Sequence, residues 1–272
     1  MPRTLSPMLS AARTLFEHRA LLLTLTAREI KARYRGSALG FLWSLVNPLL
    51  LLAVYSFVFS VVLQQRAAVE PYALFLLCGL FPWIWFATSL TEGTVSLLAN
   101  AGLIRRAVFP IELLPAVAVA ANFVHFLFAL PVLVAGLAVG RVLGYPVGGW
   151  SSLALPAIAL LQLVLTCGLA LGLAALHVHF KDVKDILANL LTLFFFLTPV
   201  LYPMAAVAHP ALRAIVRLSP MAPFVLAYQQ SLFAGQVPSA SLWLQMALVA
   251  LCGWLVGAGL FARLRETLVE AA

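Results

Sequence analysis

The residues best suited to chemistry in this chain lie close together near its start. Arg28, Glu29, Lys31, Arg33 and Arg35 fall within 28–35, and no further charge occurs before Arg66. If this stretch is helical, Arg28, Lys31 and Arg35, at i, i+3 and i+7, share one face. Such a face suits an anionic surface, where each basic group contributes about 1 kcal/mol. Tyr34 interrupts the basic run, and Gly36, Ser37, Leu39 and Gly40 follow at the join to a long apolar stretch. Basic residues beside a span set topology, but topology alone does not call for two glycines there. Freed backbone N–H groups at a helix start hold phosphate-type anions, which makes 36–40 a second candidate element of the same site.

Elsewhere the reactive inventory is short. Glu92 in SLTEGTVSLL and His125 in NFVHFLF sit inside apolar runs, with Asn122, Gln162 and Asn189 as the larger neutral groups. Two readings of Glu92 stand: a direct role in transport or gating, or a carboxyl near the interface, hydrogen-bonded or paired with Arg105 or Arg106. His125 is read as a satisfied packing residue. Ion-coupled transport and intramembrane catalysis need several ionisable groups working together, and one Glu and one His on different helices do not supply them. The lysines are Lys31, Lys181 and Lys184, none in a GxxxxGK[ST] loop, so the chain has no phosphate cradle for ATP. HExxH and GxSxG are absent. Cys78, Cys167 and Cys252 form no CxxC pair and read as small core residues rather than metal ligands. The aromatics are richer. Trp83, Trp85, Phe86, Phe195 and Tyr202 lie in or beside spans and are candidates for lining a pathway, since rings stack on sugar faces. Phe194, Phe195 and Phe196 point in three directions, so at most one or two of them face a pore.

The elements that must carry these residues follow from composition. The chain is 64% apolar and 10% charged, against about 25% charged in a soluble domain. That excludes a water-soluble enzyme and predicts an all-α membrane protein. Six spans are predicted, at about 38–63, 72–98, 113–139, 153–176, 186–201 and 242–262, most holding or adjoining a proline. Residues 1–37 form a cytoplasmic arm, with an amphipathic interface helix predicted around Leu9–Arg19. Residues 263–272 form a short tail. The segment 202–235 holds Pro203, Pro210, Pro220 and Pro223 and reads as short helices on, or dipping into, the outer face; a plain external loop is the other reading. Thirteen of the 17 basic residues fall on one side of this arrangement, which places both termini in the cytoplasm. The net charge of +8 then belongs to span flanks, and nucleic acid is excluded as a partner. No cleavable signal precedes the first span.

The chain also resembles a known family. LTAREIKARYRGSALGFLWSLVNPLLLLAVYSFVFSVV is similar to the start of the membrane subunit of ABC-2-type ATP-binding-cassette exporters, in their polysaccharide branch for O-antigen, capsule and teichoic acid. Arg33-Tyr34-Arg35, Gly36, Leu39-Gly40, Trp43 and Pro48 carry the likeness. CGLFPWIWFATSL, NAGLIRRAVFPIELLP, KDVKDILANLLTLFFFLTPVLYP and LSPMAPFVLAYQQSLFAGQVP continue it in order. Two departures occur: Ser219-Pro220 stands where relatives often have Asn-Pro, and Tyr228-Gln229 where many have Tyr-Arg.

The resemblance implies a homodimer in the bacterial inner membrane, joined to two copies of a separate ATPase that binds ATP and Mg. This chain would hold no cofactor and no catalytic or metal site. The loop after the second span would dock on the ATPase through Leu103, Ile104, Arg105, Arg106, Phe109 and Glu112, with a second contact from Lys181 and Asp182, joined by Lys184 and Asp185. The substrate would be a polysaccharide on a polyprenyl pyrophosphate. Its headgroup would be received at Arg28, Lys31, Arg33, Tyr34, Arg35, Gly36, Leu39 and Gly40. The alternatives are export of capsule, teichoic acid or a small hydrophobic compound, and, from other classes, an intramembrane glycosyl- or phosphotransferase or an assembly subunit.

Overall fold

The computed structural model describes residues 6–37, 39–58, 69–106 and 109–271, and these are helical with no strand among them. Two helices form the arm, α1 (Ser6–Glu17) and α2 (Arg19–Arg33). A 3₁₀ turn leads into α3 (Trp43–Phe57), followed by α4 (Tyr72–Ala99), the short α5 (Ala101–Arg106), α6 (Leu113–Val142), α7 (Leu155–His179) and α8 (Val183–Leu197). Two short helices, α9 (Pro210–Val216) and α10 (Ala222–Tyr228), precede the long α11 (Ala240–Ala271).

Among the described residues, four helical stretches are long and apolar enough to cross a bilayer: Tyr72–Ala99, Leu113–Val142, Trp150–His179 and Ala240–Arg265. They match the second, third, fourth and sixth predicted spans to within a few residues at most boundaries. The fifth ends earlier than expected, and the first is described only in part. α3 and α8 have 15 residues each, a rise of about 22 Å. The predicted ends of the first span, residue 38 and residues 59–63, lie outside the described residues. The fifth span was expected to reach Leu201, but α8 stops at Leu197 because Thr198 precedes Pro199 and adopts an extended backbone, ψ 139°.

α4 is the centre of the bundle. It packs on α6 and α7, and α7 packs along most of α11. The α7–α11 contact rests on two glycine pairs, Gly168-xxx-Gly172 and Gly253-xxx-Gly257. A Cβ on Gly172 would lie 2.8 Å from the Gly257 Cα, and one on Gly168 would lie 2.7 Å from the Gly253 carbonyl oxygen. Small residues at four-residue spacing let membrane helices approach backbone to backbone. The pairing 168 with 253–254 and 172 with 257 makes α7 and α11 parallel. Gln162 Nε2 donates to the Pro82 carbonyl at 2.9 Å, and a Cβ on Gly93 would meet Ala170, so α4 is parallel to both. Gly93 also lies near Pro115 while Gly136 and Gly140 lie near Leu74, so α6 runs the opposite way.

The arm closes one end of the bundle, here termed proximal. Ala11 of α1 is buried in an apolar cluster with Leu97, Ile111, Leu114, Ala175 and Phe261. The amphipathic arm helix is thus present, but it spends part of its apolar face on protein. At the opposite, distal end, 202–235 folds into helices rather than a plain loop. α9 is mostly exposed, whereas Phe224, Val225, Ala227 and Tyr228 of α10 are fully buried against α4, α7 and α11. The two positions that depart from the family pattern stitch this segment down. Thr198 and Ser219 share a hydroxyl hydrogen bond at 2.6 Å, and Gln229 Nε2 donates to the Pro199 carbonyl at 2.7 Å.

Candidate functional site

The structure gives the two isolated polar residues of the spans a common partner, the end of the arm. α2 packs against α6, and its last residue is Arg33, a cation placed favourably at a helix C-terminus. Arg33 Nη2 reaches Glu92 Oε2 of α4 at 2.6 Å, and Nη1 donates to Asn122 Oδ1 of α6 at 3.2 Å. Asn122 Nδ2 donates to the same Glu92 oxygen at 2.6 Å. Three elements are thereby tied through one charged triangle. The next residue, Tyr34, sets its ring edge-on to His125 with centroids 5.6 Å apart, its hydroxyl 3.5 Å from His125 Nε2. Glu92 is thus a hydrogen-bonded and paired carboxyl, with Arg33 and Asn122 as its described partners; the side chains of Arg105 and Arg106 lie outside the described residues.

A correction concerns the basic face. The helix ends at Arg33, so Arg35 leaves it and the three-residue face shrinks to Arg28 and Lys31, both exposed. Arg35 sits in the turn that follows, exposed, as is Leu39. In this turn Gly36 (φ 79°) and Gly40 (φ 49°) take left-handed backbone, and a Cβ at either would meet nothing within 4 Å. Glycine is therefore required by conformation and not by space. The freed-N–H idea is narrowed. The N–H groups of Arg35, Ser37, Gly40 and Leu42 are already used, by Ala32 O, Tyr34 O, Ser37 Oγ and Leu39 O. Gly36→Ala should cost about 1–2 kcal/mol, read as a fall of roughly 2–8 °C in thermal midpoint for a chain near this size. Gly36→Asn should recover much of it, since Asn tolerates this region. An unchanged midpoint for the alanine variant would show that the turn is not held in this conformation.

The charged triangle stands between two cavities. One of about 300 Å³ lies between α3, α4 and α6, with Arg33, Tyr34, Trp43, Asn47, Trp85, Asn122 and His125 in its wall. The other, about 290 Å³, lies under α2 and is lined by Arg28, Glu29, Arg33, Glu92, Asn100 and Leu103. A groove of about 600 Å³ between α3, α4 and α8 adjoins the first through Asn47, Pro48, Ile84 and Thr88. Of the aromatic candidates, Trp83 and Phe195 line this groove with ring centroids 5.6 Å apart. Trp85 stacks on Phe126 at 4.9 Å in the wall of the first cavity. Phe86 is enclosed in the core at 2% exposure and lines neither. Tyr202 caps α8, donating to the Leu197 carbonyl at 2.8 Å.

The proposed docking residues gather at the proximal end. Leu103 lies on α5, and it and Phe109 pack on the proximal apolar cluster. Ile104, Arg105 and Arg106 belong to α5 by backbone, with side chains outside the described residues. Glu112 faces inward, 3% exposed, and its Oε1 binds Arg265 Nη1 of α11 at 3.1 Å. Lys181 and Asp182 are exposed in the turn between α7 and α8, where the Asp182 carbonyl accepts the Ile186 N–H at 2.9 Å. The sequence reading missed Asn122 as the bridge of the site. Its place three residues before His125 puts both on one face of α6, a signal present but not used.

Several helices long and apolar enough to cross a bilayer make this chain a multi-pass membrane protein. Residues 20–233 match the ABC-2 type transporter family, and the chain belongs to it, as an inner-membrane protein. It is 37% identical over 266 residues to the O-antigen export system permease protein RfbA of Myxococcus xanthus, covering 97% of this chain and 100% of that protein. An O-antigen export system permease protein RfbA of Klebsiella pneumoniae is 34% identical over 215 residues, 79% of this chain and 81% of its own length. The polysialic acid transport protein KpsM of Escherichia coli is 25% identical over 182 residues, 66% of this chain and 69% of its own.

Proposed function

We propose that this chain is the transmembrane subunit of an ATP-driven exporter that carries a lipid-linked, O-antigen-type polysaccharide across the bacterial inner membrane. The observation that carries the reading is its 37% identity to the Myxococcus xanthus O-antigen permease along the whole of that protein. The weaker and shorter likeness to KpsM makes capsule polysaccharide the second reading.

In this reading the chain crosses six times, α3 and α8 completing the set. The parallel run of α4, α7 and α11 against α6 fits alternating crossings. The proximal end, with its basic arm, faces the cytoplasm. Two copies of the chain assemble with two copies of a separate ATPase, which supplies the ATP and Mg site absent from these residues. α5 and the 181–182 turn dock on it, while the buried Glu112 serves as a joint to α11 rather than as a surface contact. Arg28, Lys31, Arg35 and the glycine turn draw the anionic headgroup to the inner leaflet. Trp83 and Phe195 offer ring surface toward the groove, while Trp85, stacked on Phe126, walls the first cavity.

The test is reconstitution of the chain with its ATPase in lipid nanodiscs. Purified polyprenyl-pyrophosphate-linked O-antigen should raise ATP hydrolysis several-fold. A response to small hydrophobic compounds with none to the glycan would replace this reading with drug export.

A further inference from the structure

The charged triangle has the geometry of a filled anion site. Two donors from separate elements, Arg33 Nη2 and Asn122 Nδ2, converge on the single oxygen Glu92 Oε2, each at 2.6 Å. Charge-assisted donors converging on one oxygen are how a phosphate oxygen is bound. The Asn122 amide is fixed by its own helix, since Nδ2 also donates to the Ala118 carbonyl at 3.0 Å. The Arg33 and Glu92 side chains keep 25% and 37% of their surface, and cavities adjoin the cluster on two sides. A purely structural ion pair has no need of either. Glu29, 3.9 Å from Arg33 Nη2, and Arg28 in the wall of the cavity under α2 are the other charges at hand.

We propose that Arg33 and Asn122 form an anion seat which Glu92 fills as a built-in competitor, and that a phosphate-type oxyanion binds by displacing the Glu92 carboxylate. While Glu92 occupies the seat, with Glu29 beside it, the charge of Arg33 is already met, so the seat does not trap passing anions. An anion carrying two or more charges outcompetes a single carboxylate for Arg33. Because Arg33 ends α2 and is followed by the left-handed turn at Gly36, exchanging its partner breaks the tie between the arm and α4. The inference rests on the export reading only for the natural source of the anion.

The probe is inorganic pyrophosphate, titrated calorimetrically into the full chain in phosphatidylcholine nanodiscs. Glu92→Gln keeps the shape and removes the competing charge, so it should bind pyrophosphate at least tenfold more tightly than the unaltered chain. Adding Arg33→Gln should abolish that gain. In nanodiscs containing phosphatidic acid, a phosphomonoester, pyrophosphate binding by the Glu92→Gln chain reduced below that in phosphatidylglycerol nanodiscs of equal surface charge would identify a lipid headgroup as the occupant. Unreduced binding there would identify a free or polyprenyl-borne phosphate. Equal affinity of the unaltered and Glu92→Gln chains would overturn the seat. If the variants fail to fold, the unaltered chain still decides: pyrophosphate should protect Arg33 from phenylglyoxal, mapped by peptide mass spectrometry, and no protection would overturn the proposal. Neither measurement involves ATPase or glycan, so a failed seat leaves the export reading standing, and the reverse.

Discussion

Gly257→Leu is expected to remove the folded bundle. A Cβ at this position would drive into the Gly168 carbonyl, and beyond it lies the Leu169 amide nitrogen at 3.2 Å. Both obstacles are backbone, so no side chain can swing aside. The helices must separate or the α7 backbone must shift. Overpacking of a well-filled interior costs about 1–3 kcal/mol, occasionally more, and here the whole α7–α11 seam opens, because Gly172 and Gly253 lie in the same contact. Against a total stability of about 5–15 kcal/mol, that is a large fraction. The measurement is yield of monodisperse protein and thermal midpoint in detergent. Val256→Leu is the control, since Val256 is 67% exposed on the neighbouring face and should leave both unchanged. A Gly257→Leu chain as stable as the control would show that α7 and α11 do not meet along this seam.

The same seam shows what a single chain can and cannot disclose. GxxxG occurs at 168–172 and 253–257, and also at 36–40, 136–140, 140–144 and 144–148, and its meaning for close approach is general. Which two helices it joins depends on the bundle. Long apolar runs such as the predicted span 113–139 came close to the observed helix, Leu113–Val142, because lipid forces the backbone to satisfy itself within each segment. The end of the arm was marked by Gly36. The Glu92 partner was not marked, since Arg33 stands 59 residues away and forms no periodic pattern with it. The aromatic candidates divided for a related reason. Trp83, Phe86 and Tyr202 look alike in sequence, yet one lines a groove, one is core and one caps a helix end. Residue type reports that a ring prefers an apolar place, and only packing decides which.

Reversal of charge at Arg105 and Arg106 is the second change with a large expected effect. α5 is six residues long and joins α4 to α6 at the proximal end. So short a helix is not stable alone; it is held by Ala101 and Leu103 packing on the cluster that also contains Ala11 of α1, Leu171 of α7 and Phe261 of α11. Glu112, a few residues on, pairs with Arg265 of α11. α5 packs directly against α4 and rests on a cluster shared with α1, α7 and α11, so in the proposed coupling role a push on it would be passed to those helices. Arg105→Glu with Arg106→Glu replaces two cations by two anions, a change of four charges on that lever. If the two arginines meet acidic groups of the ATPase, as the proposed docking implies, their reversal replaces attraction by repulsion. The variant should fold, because the packing residues are untouched, and should lose at least tenfold in affinity for the ATPase subunit, measured by titration in nanodiscs. Hydrolysis stimulated by lipid-linked glycan should fall to the basal rate. Normal co-purification with normal stimulation would remove α5 from the proposed coupling path and leave the 181–182 turn as the remaining candidate contact. The companion variant Lys181→Glu distinguishes the two, since it alters only the turn between α7 and α8 and should weaken stimulation less than the α5 reversal.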